Sequence, residues 1–264
     1  MTDRPILFSG PMIRALLDDR KTQTRRIIKP QPFASGYYDG EIELNVIPAN
    51  YQYPKAFRFN ANAVGGGAIL EEIFEPRINA GDRLWVKENA AVRHESWHHV
   101  DGDAHQVCYR ADEDEHGRWL GLASCGNGIR RGKAPSVFPR KSHNLDGSLR
   151  WQPSIHMPRW ASRLTLIVTD VRVERLQDIS EADAKAEGLQ TYLDGDADDN
   201  GRARIYEYFR GSDDLEWERD PVDAYLSLWD AINGDGAAQA NPWVVAYTFT
   251  VIKQNIDQID KVAA

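Results

Sequence analysis

The run Asp19-Arg20-Lys21-Thr22-Gln23-Thr24-Arg25-Arg26-Ile27-Ile28 packs four cations and two hydroxyls into one short stretch. Such a set can hold an anion or work on a polar substrate. It also fits a solvated edge strand, because charges commonly guard sheet edges. A second stretch, Trp151 to Arg163, places Ser154, His156 and Arg159 beside Trp151 and Trp160, with Pro153 and Pro158 keeping it out of regular structure or confining a helix to its end. It reads equally as a pocket wall or as a packed connector. The third, His94-Glu95-Ser96-Trp97-His98, matches a zinc-binding spacing that works only on a well-formed helix with a third ligand. The apolar period of a buried helix is missing there, and Asp101-Gly102-Asp103 interrupts it at once. No metal and no cofactor are expected.

The elements that would position these residues follow from pattern. Pro5-Ile6-Leu7-Phe8 reads as a buried strand, and Ser9 is a candidate cap for a helix built on Met12, Ile13, Leu16 and Leu17 that ends near Asp19 or Arg20. Lys21 then falls in a turn. From Thr22 the β-branched residues favour a strand on which Thr22, Thr24, Arg26 and Ile28 share one face. The next fifty residues show little periodicity; Gly65-Gly66-Gly67 reads as a loop, since no Lys-Ser or Lys-Thr follows to make a phosphate cradle. Arg83 to Glu88 and Gln106 to Tyr109 read as strands, and 113 to 150 as a mobile segment or substrate-facing lid.

Leu164 to Leu176 is a long strand, or two with a bend at Thr169-Asp170. Ser180 with Asp183 resembles a capping box, and Gly188 supplies the stop of the Ala-rich helix that follows. Glu187 sits at that helix's last turn, where a carboxylate opposes the dipole by roughly a few tenths of a kcal/mol. It needs a cationic neighbour or a role. Residues 191 to 220 read as an acidic exposed loop without a calcium pattern. Pro221 begins a helix with Val222, Tyr225, Leu226, Trp229 and Ile232 on one face, and Trp243 to Ile252 closes the fold as a strand.

Composition bounds the classes. A chain of 264 residues with 42% hydrophobic content, eight Trp and ten Tyr has ample core, and no apolar run approaches a membrane span. Two cysteines do not make a disulfide framework, and Met1-Thr2-Asp3-Arg4-Pro5 is too polar for a signal peptide, so a soluble cytoplasmic protein is expected. A net charge of −8 repels polynucleotides except at a local basic patch. That favours a small substrate.

Three motifs in order carry a resemblance: the Arg20 to Arg26 run after a short helix, Gly81-Asp82-Arg83-Leu84-Trp85-Val86, and Asp178 to Gly188. Together they resemble the ASCH family, and more closely its longer phage and prophage members. The resemblance implies an α+β fold, a PUA-like mixed β-barrel with peripheral helices. The expected organisation is one domain with insertions at about 33–80, 93–150 and 190–220. It further implies an amidohydrolase acting on an N-acylated or modified nucleobase or nucleoside, with Lys21, Thr24 and Glu187 as the reacting set. Thr24 would attack the acyl carbon, Lys21 would take its proton, and Glu187 would position Lys21. Lowering a lysine pKa from about 10.4 to about 8 takes roughly 3 kcal/mol, and neighbouring arginines supply repulsion in that direction. Arg26, Trp85, Ser154, His156 and Arg159 would bind substrate. The alternatives are a module binding single-stranded RNA, with Trp85, Trp151 or Trp160 stacking on bases, and a ribonuclease using His156.

Overall fold

The computed structural model describes residues 2–32, 42–48, 55–63, 70–95, 104–112, 129–131, 150–192, 204–206, 217–218 and 220–262. Along the chain these form β1 (Asp3–Leu7), α1 (Gly10–Leu17), β2 (Gln23–Ile27), β3 (Ile42–Ile47), β4 (Phe57–Ala63), β5 (Leu70–Phe74) and β6 (Arg83–Lys87). Then come β7 (Ala90–Glu95), β8 (Ala104–Tyr109), β9 (Ile129–Arg131), β10 (Thr165–Arg175), α2 (Glu181–Ala186), β11 (Gln190–Tyr192), β12 (Arg204–Tyr206) and β13 (Trp217–Glu218). The chain ends with α3 (Pro221–Asn233), β14 (Trp243–Ile252) and α4 (Ile256–Val262). The class is α+β; among the described residues the strand orders are open and no closed barrel forms. No described helix is long and apolar enough to cross a membrane.

The chain divides into two compact units, the first comprising Met1–Asp19, Gly81–Ile167 and Thr250–Ala264. In it β1 runs parallel to β6, and Thr165 to Ile167 of β10 pair antiparallel with the other side of β6. Leu84 and Val86 point inward while Arg83, Trp85 and Lys87 are half-buried, the alternation expected of a strand with one wet face. A second sheet has the order β7-β8-β9. Its core joins Ala90, Val107, Tyr109, Met157 and Ala161. The prolines of 151–163 confine that stretch to two single turns of 3-10 helix, Ser154–His156 and Arg159–Ala161. The Asn255 amide then ties it down, donating to the Ser162 and Arg159 carbonyls at 2.7 and 2.9 Å. The tail after Lys253, which carries no sequence signal, thus becomes a clamp and a short helix.

His94 and Glu95 lie on β7, so the zinc-like spacing starts on a strand, where successive side chains alternate rather than share a helical face. Ser96, Trp97 and His98 lie outside the described residues, as do most of 113–150 and of 191–220.

The second unit comprises Arg20–Ala80 and Val168–Phe249. Here β14 pairs antiparallel with β2, Tyr247 opposite Thr24, and β2 ends that strand order as an edge. The stretch read as an irregular excursion holds an antiparallel sheet, β3-β4-β5, whose Phe59 packs edge-on against Trp243 with ring centroids 5.0 Å apart. Its polar, glycine-rich connections hid the short alternating runs between them. The core gathers Leu176, Ile179, Leu189, Tyr225, Leu228 and Trp229. Asp220 caps α3 by accepting from the Val222 amide at 2.7 Å, and Gly234, at φ +106°, releases the chain at its end. The buried arc of α3 is Pro221, Ala224, Tyr225, Leu228 and Trp229 rather than the larger stripe read from the sequence; Ile232 is 55% exposed.

Candidate functional site

The site is built where α2 ends against the strand entering β2, all within the second unit. Ser180 Oγ accepts from the Asp183 amide at 3.2 Å, as a capping box requires, and Gly188 at φ +98° turns the chain away after Glu187. Lys21 is not in a free turn. It forms an antiparallel bridge with Glu187, extended by the Thr22 amide donating to the Ala186 carbonyl at 2.8 Å. Lys21 Nζ donates to Glu187 Oε2 at 2.7 Å and to the Glu187 carbonyl at 2.8 Å. One amino group therefore answers both the carboxylate and the helix C-terminus it opposes.

Arg25 takes the other carboxylate oxygen, its Nη1 lying 3.1 Å from Glu187 Oε1. The same guanidinium donates through Nε to Glu174 at 2.9 Å and through Nη2 to Asp183 at 3.2 Å. Asp183 also accepts from Gln23 at 2.7 Å and from Arg172 at 2.9 Å. Lys21 is 1% exposed, Arg25 4% and Glu187 5%, so the set is held almost out of water.

That burial works against the charge of the amine. Desolvation pushes Lys21 below the ordinary lysine range; the Glu187 charge opposes this, and the charges of Arg26 and Arg25 assist it. Burial disfavours the charge of Arg25 too, but Glu187 and Glu174 outweigh it and hold the guanidinium firmly protonated. Asp183 is kept below the carboxylate range despite its burial by hydrogen bonds from Arg172 and Gln23. Burial and the Glu187 charge raise the Tyr225 phenol well above its usual range.

Thr24 is buried on β2 and shares its strand face with Arg26, opposite in parity to Gln23 and Arg25. Arg26 is exposed, and its charge acts on Lys21, Glu187 and Tyr247. The residues that join the Lys21–Glu187 pair, Gln23 and Arg25, share the parity of Lys21, and Thr24 has the opposite one. Burial pushes Tyr247, the partner of Thr24, up to about 12 against the pull of Arg26. Between pH 10 and 12 the unfolded chain sheds this proton and the folded chain keeps it. Stability therefore falls as pH rises through that window, by at most about 3 kcal/mol once complete. Tyr247→Phe should show a shallower decline of the urea midpoint between pH 9 and 11.5, and a slope equal to wild type would assign the decline to other groups.

The structure thus brings together Lys21 and Glu187, with Thr24 and Arg26 on the adjoining strand. Trp85, Ser154, His156 and Arg159 belong to the first unit. There Lys87 Nζ lies 5.3 Å from the centre of the Trp85 ring, the Ser154 amide donates to Asn89 Oδ1, His156 is exposed, and Arg159 pairs with Asp3 and Asp257. Sequence reasoning missed Arg25, Gln23, Glu174 and Arg172. Alternation from Lys21 offered a signal for the first two; Glu174 and Arg172 had none, because only folding sets β10 beside α2.

Comparison of the chain with protein-family models, with curated proteins and with solved structures finds no match in any of the three.

Proposed function

We propose that the Lys21–Glu187 pair is the reacting centre of an amidohydrolase-like pocket for an N-acylated or modified nucleobase or nucleoside, in a PUA-like fold of the ASCH type. One observation carries this reading: a lysine buried to 1% exposure, 2.7 Å from a carboxylate whose second oxygen is held by Arg25. A buried amine with a lowered pKa and a fixed carboxylate partner is the equipment of proton transfer.

In the proposed reaction, Thr24 Oγ attacks the acyl carbon and its proton passes to neutral Lys21. Lys21 then protonates the leaving amine as the acyl–nitrogen bond breaks. Water hydrolyses the acyl-threonine ester, releasing the carboxylic acid and restoring the hydroxyl. Glu187 keeps the amine in place, while Arg25 takes a share of its charge and so weakens its hold on the Lys21 proton. Arg26, exposed beside the pair, orients the substrate.

Incubating the protein with a panel of acylated nucleosides and separating the products tests this. The expected result is stoichiometric release of acid and free nucleoside, with a rate nearly independent of added salt. Absence of release across the panel, together with RNA affinity that falls steeply with salt, would instead identify a polyanion-binding module.

A further inference from the structure

Asp183 stands in the first turn of α2, where its amide donates to the Ser180 cap, but its carboxylate serves the strands beside that helix. Oδ1 accepts from Gln23 at 2.7 Å, and Oδ2 accepts from Arg172 at 2.9 Å and from Arg25 at 3.2 Å. Donors from β2 and β10 thus converge on one acid. Glu174, also on β10, accepts from Nε and lies against Nη2 of the same Arg25, at 2.9 and 2.8 Å. Nη1 is left to meet Glu187 Oε1 at 3.1 Å and Gln23 Oε1 at 3.3 Å. The two acids therefore fix the orientation in which Arg25 reaches the carboxylate that holds Lys21.

The contacts make one line of alternating charge, Arg172 to Asp183 to Arg25 to Glu187 to Lys21. Side-chain exposure falls along it, from 40% at Arg172 through 17% at Asp183 to 1% at Lys21. One end meets solvent and the other is the buried amine. Charges so placed act on one another strongly, because the protein interior screens far less than water does. The other charged or titratable groups facing the line are Arg20 on the turn before Lys21, Arg26 on β2, and Asp170 and Glu174 on β10. Tyr225 on α3, its phenol raised well above the usual range, stays neutral beside them, as does Tyr247 on β14 beside Arg26.

We infer that Asp183 is a positioning residue of the proposed site: with Glu174 it holds Arg25 on Glu187, and with Arg172 it governs from the surface how much of the Glu187 charge remains for Lys21. The role rests on the reading of Lys21 as the reacting base, but it acts on the amine whether or not substrate is present. Removing the Asp183 charge leaves Arg25 freer to neutralise Glu187 and takes one attracting anion away from Lys21. Both changes make the amine give up its proton at lower pH. Removing the Arg172 charge leaves Asp183 freer to draw on Arg25, so the amine gives up its proton at higher pH.

NMR titration of the full chain, labelled with carbon-13 at its lysine side chains, tests this, the Lys21 signal being the one that Lys21→Met removes. In Asp183→Asn, which keeps the size and an acceptor for Gln23, the Lys21 midpoint should fall by about half a pH unit or more; in Arg172→Met it should rise by a smaller step. Loosening of the site would instead admit water and carry both variants the same way, up toward the ordinary lysine range. Midpoints that move in opposite directions in a protein that cleaves no acylated nucleoside would keep the positioning role and end the deacylation reading. Midpoints that move the same way, or that stay within about 0.2 pH units of wild type, would overturn the role even in an active enzyme. Should Asp183→Asn not fold, Arg172→Met decides alone, read with amide exchange at Thr22, whose bond to the Ala186 carbonyl reports on the integrity of the site. A rise in the midpoint with that exchange unchanged supports the role; no rise, or a rise with faster exchange, overturns it.

Discussion

Replacing Lys21 with arginine should lower turnover of an acylated nucleoside by at least about 10²-fold while leaving its binding nearly intact. The substitution keeps the positive charge beside Glu187 and removes the ability to lose a proton at working pH, which isolates general-base catalysis from charge. If Lys21 served only to hold an anion, the guanidinium would substitute well and activity would persist. Because Lys21 is buried, the larger side chain must be accommodated, so Lys21→Met serves as the second variant. It fits the same space, leaves Arg25 on Glu187 and should be as inactive as Lys21→Arg. At the next residue in the scheme, Thr24→Ser should retain measurable hydrolysis and Thr24→Val should not. An active Lys21→Arg or Thr24→Val protein would end the deacylation mechanism.

The second large effect belongs to the other unit. Arg163→Met should cost about 3 to 5 kcal/mol of stability, because it strands two buried carboxylates that share one guanidinium. Glu88, Asp112 and Arg163 are 2%, 6% and 1% exposed, and the Arg163 guanidinium lies 4.0 Å from the centre of the Tyr109 ring, so the stranded acids would stay largely buried. Arg163→Lys keeps a charge but loses the fork that meets both acids, and should fall between the two. Removing all three charges together, as Glu88→Gln, Asp112→Asn and Arg163→Met, should recover much of the loss, since the desolvation penalty goes with the pair. Urea unfolding, with amide exchange at Val86 and Tyr109 to locate the change, measures it. A loss under about 1 kcal/mol for Arg163→Met would show that water reaches the cluster.

Much was legible in the chain because it is local. Period-3.6 spacing with Pro11 and Pro221 marks the starts of α1 and α3, period-2 spacing marks β6, and the Ser180, Asp183 and Gly188 signals bound α2. These depend on backbone sterics and on hydrogen bonds between residues a few positions apart, and such forces are written in neighbouring letters. Glu187 could even be singled out as a charge in the wrong place on its helix, while its partner Lys21 was named through the family resemblance and not through any local pattern.

That partner came from distance. Lys21 and Glu187 lie 166 residues apart, as Arg163 lies 75 from Glu88 and 51 from Asp112. Several arginines and acids could have paired in each case, and composition does not choose among them. Packing chooses, because a buried charge costs several kcal/mol unless an opposite charge meets it, and only the arrangement that buries the apolar faces decides which ones can meet. The same reasoning explains α3, whose buried arc turned toward Ala224 and away from Ile232: helical spacing determined that the helix has an apolar side, and the shape of the surface beneath determined which residues touch it.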